Sequence, residues 1–263
     1  MRSRFAFAVF VGLCVVCTAW AGEGEWGKYE VDGRRSGYTY AAPETRAMQD
    51  DEFENPGSIW LATGETLWSE VDGSHGKSCA SCHQDAATTM RGVGARYPAV
   101  DKRGRLLNVE QRINRCRVGA LGAPAWAQES EALLAMTTYI KHQSLGMPLN
   151  PQIDGAAAPH FAKGKTIYET RRGQLDLACI HCHEMNHGNL LRAQRLSQGM
   201  SNGFPAYRLK WQTLGSLQRR MSGCMRDVRA EPYADGAAEY VELELYLAWR
   251  ARGLPVETPA VRN

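Results

Sequence analysis

Two pentapeptides decide how this chain is read: "CASCH" at 79–83 and "CIHCH" at 179–183. Each sets two cysteines three positions apart and puts a histidine directly after the second. C-x-x-C-H is the attachment signature of c-type haem. The thiols add across the two vinyl groups, and the adjacent histidine reaches the iron as proximal ligand. A structural zinc site or a thioredoxin-like dithiol would use the cysteines but leave the paired histidines unexplained. The motifs therefore assign two covalently bound haem c groups. Cys79 and Cys82 hold one and Cys179 and Cys182 the other, with His83 and His183 on the irons.

Working outward, the surroundings of the two motifs repeat. "GETLWSEVDGSHGKSCASCH" begins at Gly64 and "GKTIYETRRGQLDLACIHCH" at Gly164, so Trp68 falls on Tyr168. Downstream, "QRINRC" (111–116) pairs with "QRRMSGC" (218–224), placing Cys116 on Cys224. "YIKHQSLGMP" (139–148) then pairs with "YLAWRARGLP" (246–255), so Tyr139, Gly146 and Pro148 match Tyr246, Gly253 and Pro255. Apolar residues at three- and four-residue spacing predict amphipathic helices over 129–143 and 237–252. A glycine in the first helix of each half lets an aromatic-bearing last helix cross it closely, and Trp68, Tyr139, Tyr168 and Tyr246 read as core. The layout resembles the cytochrome c fold, repeated. An all-α chain of two tandem cytochrome c-like domains, related by internal duplication, is expected over 56–150 and 151–263. The segment 22–55, polar and glycine-bearing, is expected to wrap the first domain or meet a partner.

The N-terminus, "MRSRFAFAVFVGLCVVCTAWAGEGEW", has two arginines, an apolar run from Phe5 to Cys17 and a small-x-small site at Ala19–Ala21. That is a secretory signal over residues 1–21, cleaved near Ala21, with a run too short to span a bilayer comfortably. Removing Arg2 and Arg4 from the 31 Lys+Arg leaves 29, against 28 Asp+Glu. A nearly neutral chain gives no argument for nucleic acid or a membrane as partner. Of eight cysteines, Cys14 and Cys17 leave with the signal, so only Cys116 and Cys224 remain outside the haem motifs.

A low-spin haem needs a second axial ligand, commonly methionine in simple electron carriers. Met90, Met136, Met147, Met185, Met200, Met221 and Met225 are available, as are His75, His142, His160, His181 and His187. The repeat favours Cys116 and Cys224 instead, one at the same point in each half. A disulfide between them is the competing reading, and an oxidising compartment would permit it. Thiolate ligation favours ferric iron and lowers the haem potential.

These features together resemble the SoxA family of dihaem cytochromes, the catalytic subunits of SoxAX. The arginine-x-x-x-cysteine element of "RRMSGCM" (219–225) is the most specific piece. The resemblance implies His83 and Cys116 as axial ligands of the first iron, and His183 and Cys224 of the second. It makes Cys224 the catalytic thiol, present as a persulfide, and Arg220 the residue that holds the anionic substrate. It implies a SoxX-type monohaem cytochrome c as heterodimer partner and a SoxYZ-type carrier as acceptor. Thiosulfate would be the substrate and c-type cytochromes the electron acceptors, in the periplasm.

The chemistry suits these residues. Thiosulfate is a small dianion with a reactive outer sulfur. If the segment is helical, Arg220, one turn before Cys224, points to the same side. A guanidinium fork matches sulfonate-type oxygens, and Arg219, Arg226 and Arg229 add local positive field. Arg226 and Arg229 also read as surface residues paired with Asp227, Glu231 or Asp235. Two other readings stay open: a thiosulfate dehydrogenase that forms tetrathionate, and an electron-transfer cytochrome with no chemistry of its own.

Overall fold

The computed structural model describes residues 25–263. The signal peptide, with Cys14 and Cys17, lies outside the described residues. From residue 58 onward the chain runs twice through one succession of elements. In the N-terminal half these are α2 (Ser58–Ser69), α3 (Cys79–His83), α4 (Val109–Cys116) and α5 (Glu131–His142), preceded by α1 (Pro43–Asp50). In the C-terminal half they are α6 (Ala158–Glu169), α7 (Cys179–His183), α8 (Leu217–Asp227) and α9 (Ala238–Arg250).

The first and last helices of each half cross through their glycines. A Cβ on Gly64 would collide with the Ala135 carbonyl and come within 2.6 Å of Tyr139 Cβ. On Gly164 it would collide with the Glu242 carbonyl and approach Tyr246 Cβ at 3.1 Å. Around each crossing is a separate core. One is built from Trp68, Val109, Ile113, Leu133, Met136 and Ile140, the other from Tyr168, Met221, Met225, Tyr240, Leu243 and Tyr246. The aromatic residues expected in the core are there: Tyr168 is fully buried and Trp68 nearly so, with Tyr139 and Tyr246 packed against them.

Helix caps set the register between the halves. Asn108 Oδ1 accepts from Gln111 N at 2.9 Å, and Ser216 Oγ accepts from Arg219 N at 3.1 Å. Each side chain satisfies an amide that has no partner inside its helix. Cys116 and Cys224 both fall eight residues after their caps, and Arg112 and Arg220 both fall four after. The expected pairing of Gln111 with Gln218 is thus one residue out: Gln111 stands where Arg219 stands. The ends of the two last helices meet, Gly146 N donating to Val256 O and Gly253 N to Leu149 O, each at 2.9 Å.

Two expectations change. The chain is predominantly helical but not purely so. A short hairpin joins β1 (Ala99–Val100) to β2 (Leu106–Leu107). A second joins β3 (Ala206–Arg208) to β4 (Thr213–Gly215), and the C-terminal strand β5 (Ala260–Arg262) adds in parallel to β3. Strands of two or three residues are too short to show an alternating pattern in sequence. The segment before α1 lies on the C-terminal half, not on the first. Arg35 N donates to Gln198 Oε1 at 2.6 Å, and Ser36 Oγ donates to the buried Glu257. Glu257 also takes Asn202 at 2.7 Å and Arg262 at 2.6 Å. A buried carboxylate needs this many partners, and they draw the strap to that face.

Candidate functional site

Each C-x-x-C-H motif forms a single helical turn, so its two cysteines share one side. The turn is locked at its start. Ser78 and Ser81 cap each other reciprocally in the first motif, and His181 Nδ1 accepts from Ala178 N at 2.9 Å in the second.

His183 Nδ1 donates to the Ser197 carbonyl at 2.8 Å, which leaves Nε2 as the free ring nitrogen. Gly199 lets the backbone lie against the ring, since a Cβ there would come within 2.8 Å of His183 Cγ. Facing this imidazole is the thiol of Cys224 on α8. Met221 and Met225 turn one face of α8 into the core and leave Arg220 and Cys224, one turn apart, on another. Burial alone would raise the Cys224 thiol, but Arg220 and His183 outweigh it and bring it down to about 7.

The six described cysteines are all unpaired, so Cys116 and Cys224 form no disulfide. Each instead lies by its own motif. The charge of Cys116 is felt at Cys79, and that of Cys224 at Cys179 and Cys182. Of the methionines, Met136, Met221 and Met225 pack in the two cores beside the motifs, Met90 packs against the first of them, Met147 and Met200 lie in a third cluster, and Met185 is exposed. The other histidines are held through Nδ1 as His183 is: His75 and His142 bond the Ala120 and Thr258 carbonyls, His160 meets Glu242, and His187 meets the Tyr40 hydroxyl.

The arginines sort differently from expectation. Arg226 bonds Ser222 Oγ at 2.7 Å and Arg229 reaches Gln174, and neither pairs with Asp227, Glu231 or Asp235. Arg219 lies 4.4 Å over the Trp211 ring and 4.0 Å from Glu129. The Arg220 side chain has no hydrogen bond or ion pair among the described residues. Sequence reasoning missed Ser197 and Gly199, which hold the His183 ring through a backbone carbonyl and a close backbone approach.

The donor set fits haem c. Two thiols share one helical turn, an oriented imidazole follows them, and a thiol faces that imidazole. Among the described residues no group of three or more His, Cys, Asp or Glu side chains is arranged to hold a bare metal ion.

Comparison with known proteins agrees. A family model described as SoxA/TsdA, cytochrome c domain, matches residues 63–149, which contain the first motif. The chain is 47% identical to the L-cysteine S-thiosulfotransferase subunit SoxA of Pseudaminobacter salicylatoxidans, over 87% of this chain and 80% of that protein. It is 45% identical to the same subunit from Rhodovulum sulfidophilum, over 88% and 81%. The chain belongs to the SoxA family. Like its family it carries covalently bound haem c and is an L-cysteine S-thiosulfotransferase subunit. A crystal structure of SoxXA from P. pantotrophus superposes with a TM-score of 0.85 at 42% identity, covering 88% of this chain and 87% of that one. Among the described residues no helix is long and apolar enough to cross a membrane.

Proposed function

We propose that this SoxA-family chain is a periplasmic dihaem cytochrome, built by duplication as two cytochrome c-like domains over 56–150 and 151–263. It would attach thiosulfate oxidatively to a cysteine of a SoxYZ-type carrier. The observation that carries the reading is the Cys224 thiol, set between the His183 imidazole and an unpaired Arg220. Cys79, Cys82 and His83 would hold one haem and Cys179, Cys182 and His183 the other, with Cys116 and Cys224 as distal ligands. A bound c-type haem supplies one-electron acceptance, so a two-electron oxidation calls on more than one haem or on successive transfers.

The protein's own residues do the rest. Arg220 binds the sulfonate oxygens and turns the outer sulfur of thiosulfate toward Cys224. With Cys224 as a persulfide anion, the two sulfur anions join with loss of two electrons. The product is a –S–S–S–SO₃⁻ chain on the protein. The carrier's thiolate then attacks the outer thiosulfate sulfur, takes the S–SO₃⁻ unit and releases the Cys224 persulfide. The electrons would leave through a SoxX-type haem subunit to a further c-type cytochrome. The likeness to the SoxXA crystal structure supports a heterodimer of that kind.

The test is peptide mapping of the natively purified holoprotein by mass spectrometry without reduction, paired with an assay on a thiol carrier. An added sulfur on Cys224, and loss of carrier modification in Cys224→Ser with the first haem intact, is the expected result. Retained activity in that variant sinks the assignment. Tetrathionate formed without a carrier would favour the thiosulfate dehydrogenase reading.

A further inference from the structure

Arg250 ends α9 as a buried side chain, and its guanidinium joins two distant points of the chain. Nη2 pairs with Glu184 Oε1 at 3.2 Å, and Nη1 donates to the Gln198 carbonyl at 2.9 Å. Glu184 directly follows His183, and Gln198 directly follows Ser197. Arg250 thus ties together the residues just beyond the donor and the acceptor of the bond from His183 Nδ1 to the Ser197 carbonyl. The guanidinium also lies 4.6 Å over the buried Tyr168 ring, which fixes its plane as well as its ends.

The strap before α1 takes hold of the same place. Gln198 Oε1 accepts from Arg35 N at 2.6 Å, and Gln198 Nε2 donates to the Gly33 carbonyl at 3.0 Å. The side-chain amide is held at both ends by strap backbone, while the main-chain carbonyl of the same residue is held by Arg250. On either side of Gln198 stand the two residues that touch the imidazole: Ser197, which accepts from it, and Gly199, whose backbone lies against the ring.

The first half is built otherwise. Gln84 and Gln143 stand where Glu184 and Arg250 stand, and Gln143 Nε2 donates to the Tyr139 carbonyl on its own helix. The His83 ring lies 5.9 Å from that of Trp68 and has no hydrogen bond among the described residues.

A ligating histidine is oriented by what its second ring nitrogen bonds. We propose that Arg250 and Gln198 are positioning residues for the second haem: together they clamp segment 197–199, and through it the ring of His183. The proposal rests on the reading of His183 as the axial ligand given above. It also gives the strap a task, since residues 33–35 hold Gln198 from the side opposite α9.

Electron paramagnetic resonance on the haem-loaded protein tests this, with thiosulfate transfer measured in the complex with the haem partner subunit. Gln198→Ala and Arg250→Gln should each shift or broaden the low-spin signal of the second haem and leave that of the first unchanged. Thiosulfate transfer should fall about tenfold or more. Arg250→Lys keeps the charge and a donor, so it should recover part of the wild-type signal. Gln198 belongs to neither haem core, so Gln198→Ala keeps the test open if an Arg250 variant fails to fold. Wild-type signals from both haems in Gln198→Ala and Arg250→Gln, whatever their melting temperatures, would overturn the proposal and leave the two residues as anchors for the strap. His183→Met tests the reading beneath. There the second signal should be lost or changed, and an unchanged one would overturn the ligand assignment itself.

Discussion

Cys116 and Cys224 occupy one position in two matching halves, each eight residues after a helix cap and each beside the first cysteine of its haem motif. Their surroundings differ in charge. Around Cys116, Arg115 is tied to Asp101 at 2.5 Å. Arg117 is tied to Asp72 at 2.7 Å and lies 3.6 Å over the Trp126 ring. Around Cys224, the Arg220 side chain has no hydrogen bond or ion pair among the described residues, and Arg219 meets Glu129 only at 4.0 Å. Arg112, the counterpart of Arg220, is exposed on a cavity of about 510 Å³ whose wall includes Asp101, Lys102, Arg103 and Arg115. On matching helices, then, the arginines next to Cys116 are tied to carboxylates, while Arg220, one turn before Cys224, is not. On the reading proposed above, that difference gives the chemistry to the second half.

The largest effect should come from breaking that contrast at the sulfurs. Cys224→Ser is expected to lower thiosulfate transfer roughly a thousandfold or more. Cys116→Ser should change the absorption and resonance signature of the first haem while keeping most of the turnover. Equal losses in both variants, measured by the carrier assay, would mean that the charge difference does not divide the work.

The next comparison is one of packing, and here the halves should behave alike. A methyl group at Gly64 or Gly164 would meet a backbone carbonyl of the facing helix, which no side-chain rotation can relieve. Gly64→Ala and Gly164→Ala should each destabilise by about 3 kcal/mol. Thermal unfolding followed in the Soret band of each haem checks this. A silent Gly64→Ala would show that the first crossing is looser than the second.

The halves also share a buried polar junction, with a cavity of about 30 Å³. Glu244 on α9 accepts from Asn108 Nδ2 at 3.1 Å and from Gln218 Nε2 at 2.8 Å, facing Glu110 on α4 and Lys141 on α5. Burial, with Glu110 next, pushes Glu244 up to about 8. A carboxyl whose folded pKa is raised binds its proton more tightly in the folded state. Stability is therefore complete below the ordinary carboxylate range and falls as pH rises toward 8. Glu244→Gln keeps the acceptor oxygen and removes the titration. Variant and wild type should melt together near pH 4. Between pH 5 and 8 the variant should gain a lead on the order of 2 kcal/mol. Parallel curves would place the charge elsewhere in the trio.

How much of this was legible in the sequence follows from what kind of signal each feature leaves. The haem motifs, the crossing glycines and the Arg220–Cys224 turn are local patterns, and residue spacing carries them whole. The short strands, the strap on the C-terminal half and the bond from His183 to the Ser197 carbonyl depend on residues far apart in sequence or on backbone atoms, which leave no side-chain pattern. The match between the halves falls between these cases, because the slip of one residue at Gln111 hid how closely they correspond. Charge at equivalent sites becomes comparable only once the caps fix the register.

Those caps give the smallest and most selective test of the comparison. Ser216 does one job, accepting from Arg219 N at the start of α8. Asn108 does two: Oδ1 caps α4, and Nδ2 donates to Glu244 across the junction. Ser216→Ala should therefore cost about 1 kcal/mol. Asn108→Ala should cost that and a buried bond besides, about 2 kcal/mol together. Asn108→Ser separates the two jobs. A serine restores the cap but cannot reach Glu244, so about half of the loss should return. Because Nδ2 is a neutral donor to a carboxyl that prefers its proton, the part that does not return should grow as pH rises and Glu244 ionises. Chemical denaturation of Asn108→Ser at pH 5 and pH 8 measures that part directly. A loss that does not change with pH would mean that Asn108 serves its own helix and nothing across the junction.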